Sequence, residues 1–251
     1  MRKKESKRQK HVEKSFQERE KALRKASEIF EQKVIPCFSN YNTALDIGTG
    51  SGYTAFTLAK HFKKVVSIDS KSKFLKTAEI KAVDKNIENI QFFQMDAHKL
   101  NFSDKSFDVA TCRAAIHHFD DADKVLAEVY RVLKKEGLFV LMDFCFSKTT
   151  KDALAPISRI REDDFRNYYT FHDYCDLLEN NDFSIEGIYT YILPRDIQEW
   201  AAVAPENIQE RIINAFLSLD GSVHKELRLH KEGDQYIILY RIVEIISKKW
   251  R

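Results

Sequence analysis

The sequence lacks the long apolar runs that mark membrane proteins. No window approaches the roughly 18 consecutive apolar residues that a membrane-spanning helix needs. The N-terminus also has no short apolar run of the kind found in secretory signals. We therefore expect a cytoplasmic protein with no membrane span. Hydrophobic residues still make up 43% of the chain, which allows a sizeable core and argues against disorder.

Cysteine is scarce and scattered. The four cysteines form no C-x-x-C pair and do not cluster with histidine: Cys37, Cys112, Cys145 and Cys175. This pattern argues against disulfides and against a zinc site, so we predict no metal. Cys112 and Cys145 lie in apolar runs, where a free cysteine behaves as a small hydrophobic residue.

The charge is nearly balanced overall but is unevenly distributed. Residues 1–25 contain eleven Lys and Arg against four Glu, whereas the remainder is net acidic. A basic arm can bind nucleic acid or an anionic surface by neutralising phosphates. A solvated helix end is the simpler interpretation. Glu13 and Glu18 within the arm argue against a mitochondrial presequence, since such segments are poor in acidic residues.

Residues 41–146 alternate between strand and helix patterns. The predicted strands are Thr43–Ile47, Lys64–Asp69, Ile90–Gln94, Phe107–Cys112 and Gly137–Phe146. The predicted helices are Tyr53–His61, Lys71–Val83 and Asp121–Leu133. Apolar strands that alternate with helices indicate a parallel sheet covered on both sides.

The flanking segments follow other patterns. Apolar residues at helical spacing predict an amphipathic helix from about residue 10 to Pro36. Residues 147–172 are polar, aromatic and irregular, and we expect no regular element there. The remaining predicted elements are a helix at 173–180, a strand at 183–193, a helix Trp200–Leu219 and a strand Gln235–Ile246. We expect one α/β domain over 1–251, with a lid helix and basic arm (1–40), a core (41–146) and a substrate region with the last strands (147–251).

The loop after the first strand carries the chemistry. Asp46 ends that strand region, and Gly48, Gly50 and Gly52 follow it before a helix begins. Glycines let the chain turn tightly and let backbone N–H groups approach a ligand. Ligands of open parallel sheets bind at the C-terminal edge of the strands.

Two further acidic residues follow the next two strands. Asp69 ends the second strand, 23 residues after Asp46, where a carboxylate can take two ribose hydroxyls. Asp96 comes just after the third strand, where it can accept a hydrogen bond from an adenine amino group, and Ala97 leaves room for backbone contact. Alone, each would read as a cap or turn residue. Together they predict a nucleoside site.

A nicotinamide dehydrogenase is the main rival for this site. Its phosphate turn requires G-x-G-x-x-G, but here Tyr53 takes the place of the last glycine. Asp46 would also repel a pyrophosphate, whereas it suits the ammonium of a methionine tail. Both features favour a cationic cofactor without phosphate.

Four segments resemble a known family. ALDIGTGSGYTAFTLA, VVSIDSKSKFLKTA, FFQMDAHKLNFSDKSFDVATCRAAIHHF and EVYRVLKKEGLFVLMD are similar to class I S-adenosylmethionine (AdoMet) methyltransferases, nearest the type 11 group that resembles the ubiquinone/menaquinone-biosynthesis C-methyltransferases. They cover about residues 43–146. The resemblance implies a Rossmann-like, mostly parallel seven-stranded sheet with an antiparallel last strand and a helical lid.

The resemblance also implies a role for individual residues. Asp46, Gly48 and Gly50 would line the methionine moiety with Thr49 beside them. The ribose and adenine contacts would come from Asp69, Ser70, Phe74, Asp96 and Ala97. Arg113 would lie by the AdoMet carboxyl or the point of methyl transfer. S-adenosylmethionine would be the cofactor, S-adenosylhomocysteine the product, and a small molecule the acceptor, in a monomer or homodimer.

A general base is needed only when the acceptor has a proton to lose. His117 and His118, after the fourth strand, are candidates because histidine titrates near neutral pH, although such a run in the family often packs against or caps the following helix. Asp143, the Tyr168/Tyr169/His172 cluster, Arg161 and Arg166 are weaker candidates.

Other functions receive less support. The chain has no Asn/Asp-Pro-Pro-aromatic stretch after the fourth strand to grip a flipped base, and its one Pro-Cys pair, Pro36-Cys37, precedes the first strand. This argues against a nucleic-acid substrate, although the basic arm keeps RNA open, as it keeps a protein side chain open. A non-catalytic AdoMet-binding module is a further alternative.

Overall fold

The computed structural model describes residues 30–38 and 42–250. The predicted basic arm and almost all of the predicted N-terminal lid helix lie outside these residues. Residues Phe30–Val34 form a π-helical turn and Ile35–Phe38 a 3-10 turn. Pro36 therefore lies inside a short turn at the end of the segment for which we predicted the helix.

The strands are β1 to β8 in chain order: Thr43–Ile47, Lys64–Asp69, Ile90–Gln94, Phe107–Arg113, Leu133–Phe144, Phe183–Asp196, His230–Glu232 and Gln235–Lys249. The helices are α1 to α8: Tyr53–Ala59, Ser72–Asp84, Ala122–Val132, Lys148–Arg161, Phe171–Asn180, Ile197–Ala201, Glu206–Leu217 and Gly221–Glu226. A 3-10 turn, Ile116–His118, follows β4.

The described chain forms two compact units. The larger one contains residues 30–38, 42–143, 171–190 and 243–250, and the smaller one 144–170 and 191–242. Each of the long strands β6 and β8 contributes residues to both units. No described helix has the length and apolarity required to cross a bilayer.

The sheet has the strand order β3-β2-β1-β4-β5-β8-β6, and β7 pairs with β8 outside that path. β1 to β5 pair with one another in parallel. The predicted fold, a mostly parallel seven-stranded Rossmann-like sheet with an antiparallel last strand, is thus confirmed, with seven strands in the path and β7 as an eighth. The chain runs outward from β1 to β3 and then crosses to β4, so the order reverses between β1 and β4. Ligands of open α/β sheets bind at such a point, beyond the carboxyl ends of the strands.

The local chemistry explains most of these elements. The central strands are almost entirely buried: β1, β2, β4 and the second half of β5. Their apolar runs predicted this burial, because strands covered on both faces are apolar throughout. Asp121 caps α3 by accepting a hydrogen bond from the Lys124 amide at 2.9 Å. Apolar residues of α3 face the core: Val125, Leu126, Val129 and Val132.

Two expectations for residues 147–219 were wrong, and one further feature was missed. Residues 147–172 are not irregular throughout, since α4 occupies Lys148–Arg161 despite Pro156 in its interior. Ser147 caps this helix, and the burial of Leu154 outweighs the backbone hydrogen bond that proline removes. The predicted helix Trp200–Leu219 is two helices, α6 and α7, separated just before Pro205. The hairpin of β7 and β8, with Gly233 at φ +60°, was also not predicted as a strand pair.

Candidate functional site

The glycine loop after β1 has the strained backbone that the sequence predicts. Gly48, Gly50 and Gly52 all have positive φ, at +67°, +51° and +88°. A Cβ on Gly48 would lie 2.5 Å from the Cβ of Ala115, so the loop and the segment after β4 approach too closely for any side chain there. At Gly50 nothing lies within 4 Å of the same position, which leaves that side of the loop open.

Asp46 is a buried acid near the end of β1, just before this loop. Its Oδ1 accepts a hydrogen bond from the Thr111 hydroxyl at 2.9 Å, whereas its Oδ2 has no hydrogen-bond partner among the described residues. Burial raises the pKa of Asp46, and the hydroxyls of Thr49 and Thr111 and the charge of Arg113 offset part of that effect. The Thr49 hydroxyl is likewise buried. It lies near enough to Asp46 to lower the pKa of that carboxyl, but it makes no hydrogen bond of ordinary geometry to a described residue. A buried polar atom without a partner costs free energy, so both atoms are suited to a ligand.

Asp69 ties the loop to the end of β2. Its Oδ2 accepts a hydrogen bond from the Gly50 amide at 3.0 Å, and its Oδ1 accepts one from the Lys71 amide at 2.8 Å. Thr49 donates its amide to the Ile68 carbonyl at 3.0 Å. These bonds hold the carboxylate at the strand edge, and each oxygen keeps a second lone pair that can accept a hydroxyl.

Asp96 extends the row of acids to the end of β3. Met95 donates its amide to the Asp69 carbonyl at 3.1 Å, which links the two segments. The Asp96 carboxylate is exposed and accepts from the His98 amide at 2.9 Å and contacts the His98 ring at 2.6 Å. These bonds lower the pKa of Asp96, the backbone bond most. Ala97 beside it is buried.

Ser70 and Phe74 lie next to Asp69, as predicted. The Ser70 carbonyl accepts a hydrogen bond from the Gln94 side chain at 3.0 Å. The Phe74 ring is half-buried at the start of α2, with the amines of Lys71 and Lys73 at 5.7 and 5.4 Å from its centroid. A flat apolar ring therefore follows the end of β2, the strand next to β1 and its glycine loop.

Arg113 ends β4 beside the glycine loop. Its guanidinium carbon lies 4.8 Å from the centroid of the Tyr53 ring, at the first residue of α1. Its charge acts on Asp46 and also on Glu244 of β8. The Arg113 charge thus lowers the pKa of two buried carboxyls.

The two predicted histidines lie in different environments. His117 is buried, and its Nδ1 lies 2.8 and 2.9 Å from the two carboxylate oxygens of Asp143 at the end of β5. Nδ1–H donation to that carboxylate orients the ring and fixes its tautomer. His118 is partly exposed, and its ring centroid lies 4.2 Å from that of His117.

The remaining candidates take other places. The Tyr168 hydroxyl shares a hydrogen bond of 2.8 Å with Ser158. The Arg161 Nε donates to the Trp200 carbonyl at 2.8 Å, and Arg166 donates to backbone carbonyls next to it. These groups lie in the smaller unit, where they stabilise its own packing. Cys112 is a free, buried cysteine. Burial, together with the charges of Asp143 and Asp46, raises the pKa of its thiol well above the usual value. A thiol that stays protonated suits a structural role.

Sequence reasoning missed three residues of this region. His98 contacts Asp96 on one side and Asp120, at 2.9 Å, on the other; the Asp-x-His spacing was its only signal. Thr111 holds Asp46, and its signal was a hydroxyl in an apolar strand. Glu244 is a buried acid in the apolar run of β8.

The comparisons with known proteins show which proteins the chain resembles. Residues 45–141 match a family model described as a methyltransferase domain. The chain is 31% identical over 158 residues to the uncharacterized methyltransferase YcgJ of Bacillus subtilis, covering 62% of each sequence. It is 34% identical over 137 residues to the ubiquinone/menaquinone biosynthesis C-methyltransferase UbiE of Rickettsia felis, covering 52% of this chain and 50% of that one. The alignments thus span about half to three fifths of these relatives.

Solved structures support the same fold. The crystal structure of YcgJ superposes with a TM-score of 0.79 at 24% identity, over 87% of this chain and 97% of that one. The geranyl diphosphate methyltransferase in complex with SAM superposes with a TM-score of 0.61 at 14% identity, over 89% and 84% of the chains. The predicted resemblance to type 11 methyltransferases is confirmed.

Proposed function

We propose that this chain, which belongs to the AdoMet-dependent methyltransferases, transfers a methyl group from AdoMet to a small-molecule acceptor. The observation that carries this proposal is the row of acids and glycines at the switch point between β1 and β4, with the unpartnered Oδ2 of Asp46 at its centre. The relatives that are named for quinone biosynthesis act on small molecules, which supports an acceptor of that class.

The residues of the loop fit the cofactor. The Asp46 Oδ2 and the Thr49 hydroxyl, buried without partners among the described residues, suit the ammonium of the methionine tail. Gly48 and Gly50 bring the backbone close to that tail, and nothing near Gly50 obstructs it. The raised pKa of Asp46 is consistent with a cation-binding site, because a bound ammonium would lower that pKa and favour the ionised carboxylate.

The nucleoside would lie along the next two strand ends. Asp69, held by two backbone amides, would accept the ribose hydroxyls. Phe74 after Ser70 would contact one face of the adenine, while Asp96 and Ala97 would hold its edge. When bound, AdoMet supplies a methyl group on a sulfonium, which a positioned nucleophile can displace in line.

The chain's own part in the reaction is positioning and the exclusion of water. Arg113 would neutralise the methionine carboxylate or line the transfer point. His117 and His118 stay candidate bases, and Asp143 would act on His117 as a positioning residue through the bonds at Nδ1. A neutral imidazole oriented in this way presents Nε2 as the acceptor.

A thermal-shift titration tests the cofactor site. The ligands are AdoMet, S-adenosylhomocysteine and NAD, and the variants are Asp69→Ala and, as a matched control, Asp84→Ala at the exposed C-terminal end of α2. A ligand at about 100 times its Kd stabilises by roughly 2.7 kcal/mol, which raises Tm visibly. We expect AdoMet and its product to stabilise the wild type and the control but not Asp69→Ala.

The opposite results are equally informative. Stabilisation by NAD alone, or by none of the three ligands, would overturn the proposal. Stabilisation of Asp69→Ala to the wild-type extent would remove Asp69 from the site. A turnover assay with candidate acceptors then separates an enzyme from a non-catalytic AdoMet-binding module.

A further inference from the structure

Glu244 is a buried carboxyl group that has no role in the proposed cofactor site. It lies in the middle of β8 with no exposed surface, and neither of its oxygens has a hydrogen-bond partner among the described residues. Burying a carboxyl group without partners is costly, and the cost is tolerated most often where a ligand later supplies the partner.

The position of Glu244 relates it to the point of methyl transfer. In the sheet order, β8 follows β5, which follows β4, so Glu244 lies two strands away from β4. Neighbouring strands are about 4.8 Å apart, which places the two backbones roughly 10 Å from one another. An arginine side chain spans much of that distance, and the charge of Arg113 acts on Glu244.

The electrostatics suit a group that exchanges a proton near neutral pH. Burial raises the pKa of Glu244 to about 8, and the positive charge of Arg113 moderates the rise. Among the described residues Arg113 is the charged group that acts on this carboxyl, and its charge also acts on Asp46. A general base works best when its pKa lies near the operating pH.

We infer that Glu244 receives the proton that the methyl acceptor, an amine or a hydroxyl compound, loses on transfer. This inference rests on the proposed methyltransferase function. The lone pair of the acceptor's nitrogen or oxygen forms the new bond to the methyl carbon, the electron pair of the C–S bond stays on sulfur as a thioether, and the proton on that nitrogen or oxygen passes to a Glu244 oxygen.

Sinefungin makes the inference testable without a known acceptor. In this analogue a carbon bearing an ammonium group stands where AdoMet has its sulfonium methyl, whereas S-adenosylhomocysteine has only a neutral sulfur there. The experiment measures the Kd of both ligands calorimetrically, for the wild type, Glu244→Gln and the control Glu79→Gln, which makes the same chemical change on the exposed face of α2.

We expect Glu244→Gln to weaken sinefungin by roughly tenfold or more, because a hydrogen bond to a charged group is lost, while S-adenosylhomocysteine changes by less than about threefold. Glu79→Gln should match the wild type. An unchanged ratio of the two affinities, or an equal loss for both ligands, would overturn the inference. No binding of either ligand to the wild type would overturn the proposed function instead.

A second measurement uses only the wild type and does not depend on the folding of a variant. Near pH 7 the ammonium of sinefungin should ionise Glu244, so its binding should release a proton that S-adenosylhomocysteine binding does not release. Titrations in two buffers of different ionisation enthalpy report this difference. Equal proton release for the two ligands would exclude Glu244 from the transfer point.

Discussion

The cofactor side of the larger unit and the interior of the smaller unit are built in different ways. On the cofactor side, polar groups come from short stretches at strand ends: Asp46 with its glycines, Asp69 with the Lys71 amide, and Asp96 with His98. Most of the bonds join residues to the backbone of the same or the next strand end. The proposed binding of the cofactor therefore depends on local backbone geometry at the strand ends.

The interior of the smaller unit is held by aromatic side chains that are distant in sequence. Tyr240 packs edge-on against Phe144 and Phe146, each with a centroid distance of 5.2 Å. Trp200 lies between the Arg161 guanidinium, at 4.3 Å, and the Phe216 ring, at 5.0 Å. Aromatic pairs and cation–π contacts of this kind contribute about 0.5–2 kcal/mol each. The stability of the smaller unit therefore depends on how these side chains fit together, and no short sequence motif predicts that packing.

The largest expected effect tests the backbone geometry of the cofactor side. Gly48→Ala places a Cβ 2.5 Å from the Ala115 Cβ at a φ of +67°. The left-handed backbone costs an alanine roughly 1–2 kcal/mol, and the overlap adds about 1–3 kcal/mol. We therefore expect the free energy of unfolding in urea to fall by about 2–5 kcal/mol, with loss of AdoMet binding in the thermal-shift assay.

Gly50→Ala is the matched control for this prediction. Its φ is also positive, at +51°, but nothing lies within 4 Å of the added Cβ. It should lose only the backbone part, roughly 1–2 kcal/mol. Equal losses in the two variants would mean that the contact with Ala115 relaxes freely and that the close approach of the loop has no energetic importance.

The same contrast explains what the sequence could predict. β1, β2 and β3 have the predicted bounds, because buried parallel strands are continuous apolar runs between turn signals. Asp46, Asp69 and Asp96 lie at the ends of β1, β2 and β3, as the alternation of strand and helix requires. Their roles in binding the cofactor stay predictions, as do those of His117 and His118.

The sequence could not predict the features that depend on long-range packing. α4 was missed because Pro156 and its polar neighbours resemble a loop, and only the burial of Leu154 and Ile157 shows a helix face. The role of Thr111 depends on the register of β1 against β4. Glu244 stood out only as one acid in an apolar strand, and its environment comes from residues more than a hundred positions away.

The second effect in size concerns the pH dependence of stability. The folded-state pKa of Glu244, about 8, lies above its ordinary value of 4.5. Between these values the unfolded chain loses the proton and the folded chain keeps it, so this group makes the wild type less stable as pH rises from about 5 to 8. Glu244→Gln removes the effect. Each pKa unit corresponds to about 1.4 kcal/mol, so the wild type should lose on the order of 2–4 kcal/mol more than the variant across this window.

Urea unfolding of both proteins at pH 5, 6.5 and 8 measures that difference, with Glu79→Gln as the control for an exposed glutamate. The control should follow the wild type at every pH. Parallel stability curves for the wild type and Glu244→Gln would show that Glu244 is ionised in the folded protein, and they would weaken its assignment as a proton acceptor.

The smallest effect tests the shape-based interior of the smaller unit. Tyr168 and Tyr240 are both buried, but the Tyr168 hydroxyl bonds Ser158 at 2.8 Å, whereas the Tyr240 hydroxyl has no hydrogen-bond partner among the described residues. Burial also raises the pKa of Tyr240 well above 10, so this hydroxyl stays neutral.

Tyr168→Phe should therefore lower the free energy of unfolding by about 1 kcal/mol, because it leaves Ser158 without its partner. Tyr240→Phe should be neutral or stabilising by up to about 1 kcal/mol, since it removes a buried hydroxyl but keeps the ring contacts with Phe144 and Phe146. Urea unfolding of the two variants side by side measures the difference. A clear loss of stability in Tyr240→Phe would show that its hydroxyl has a partner, and the interior of the smaller unit would then depend on polar contacts as the cofactor side does.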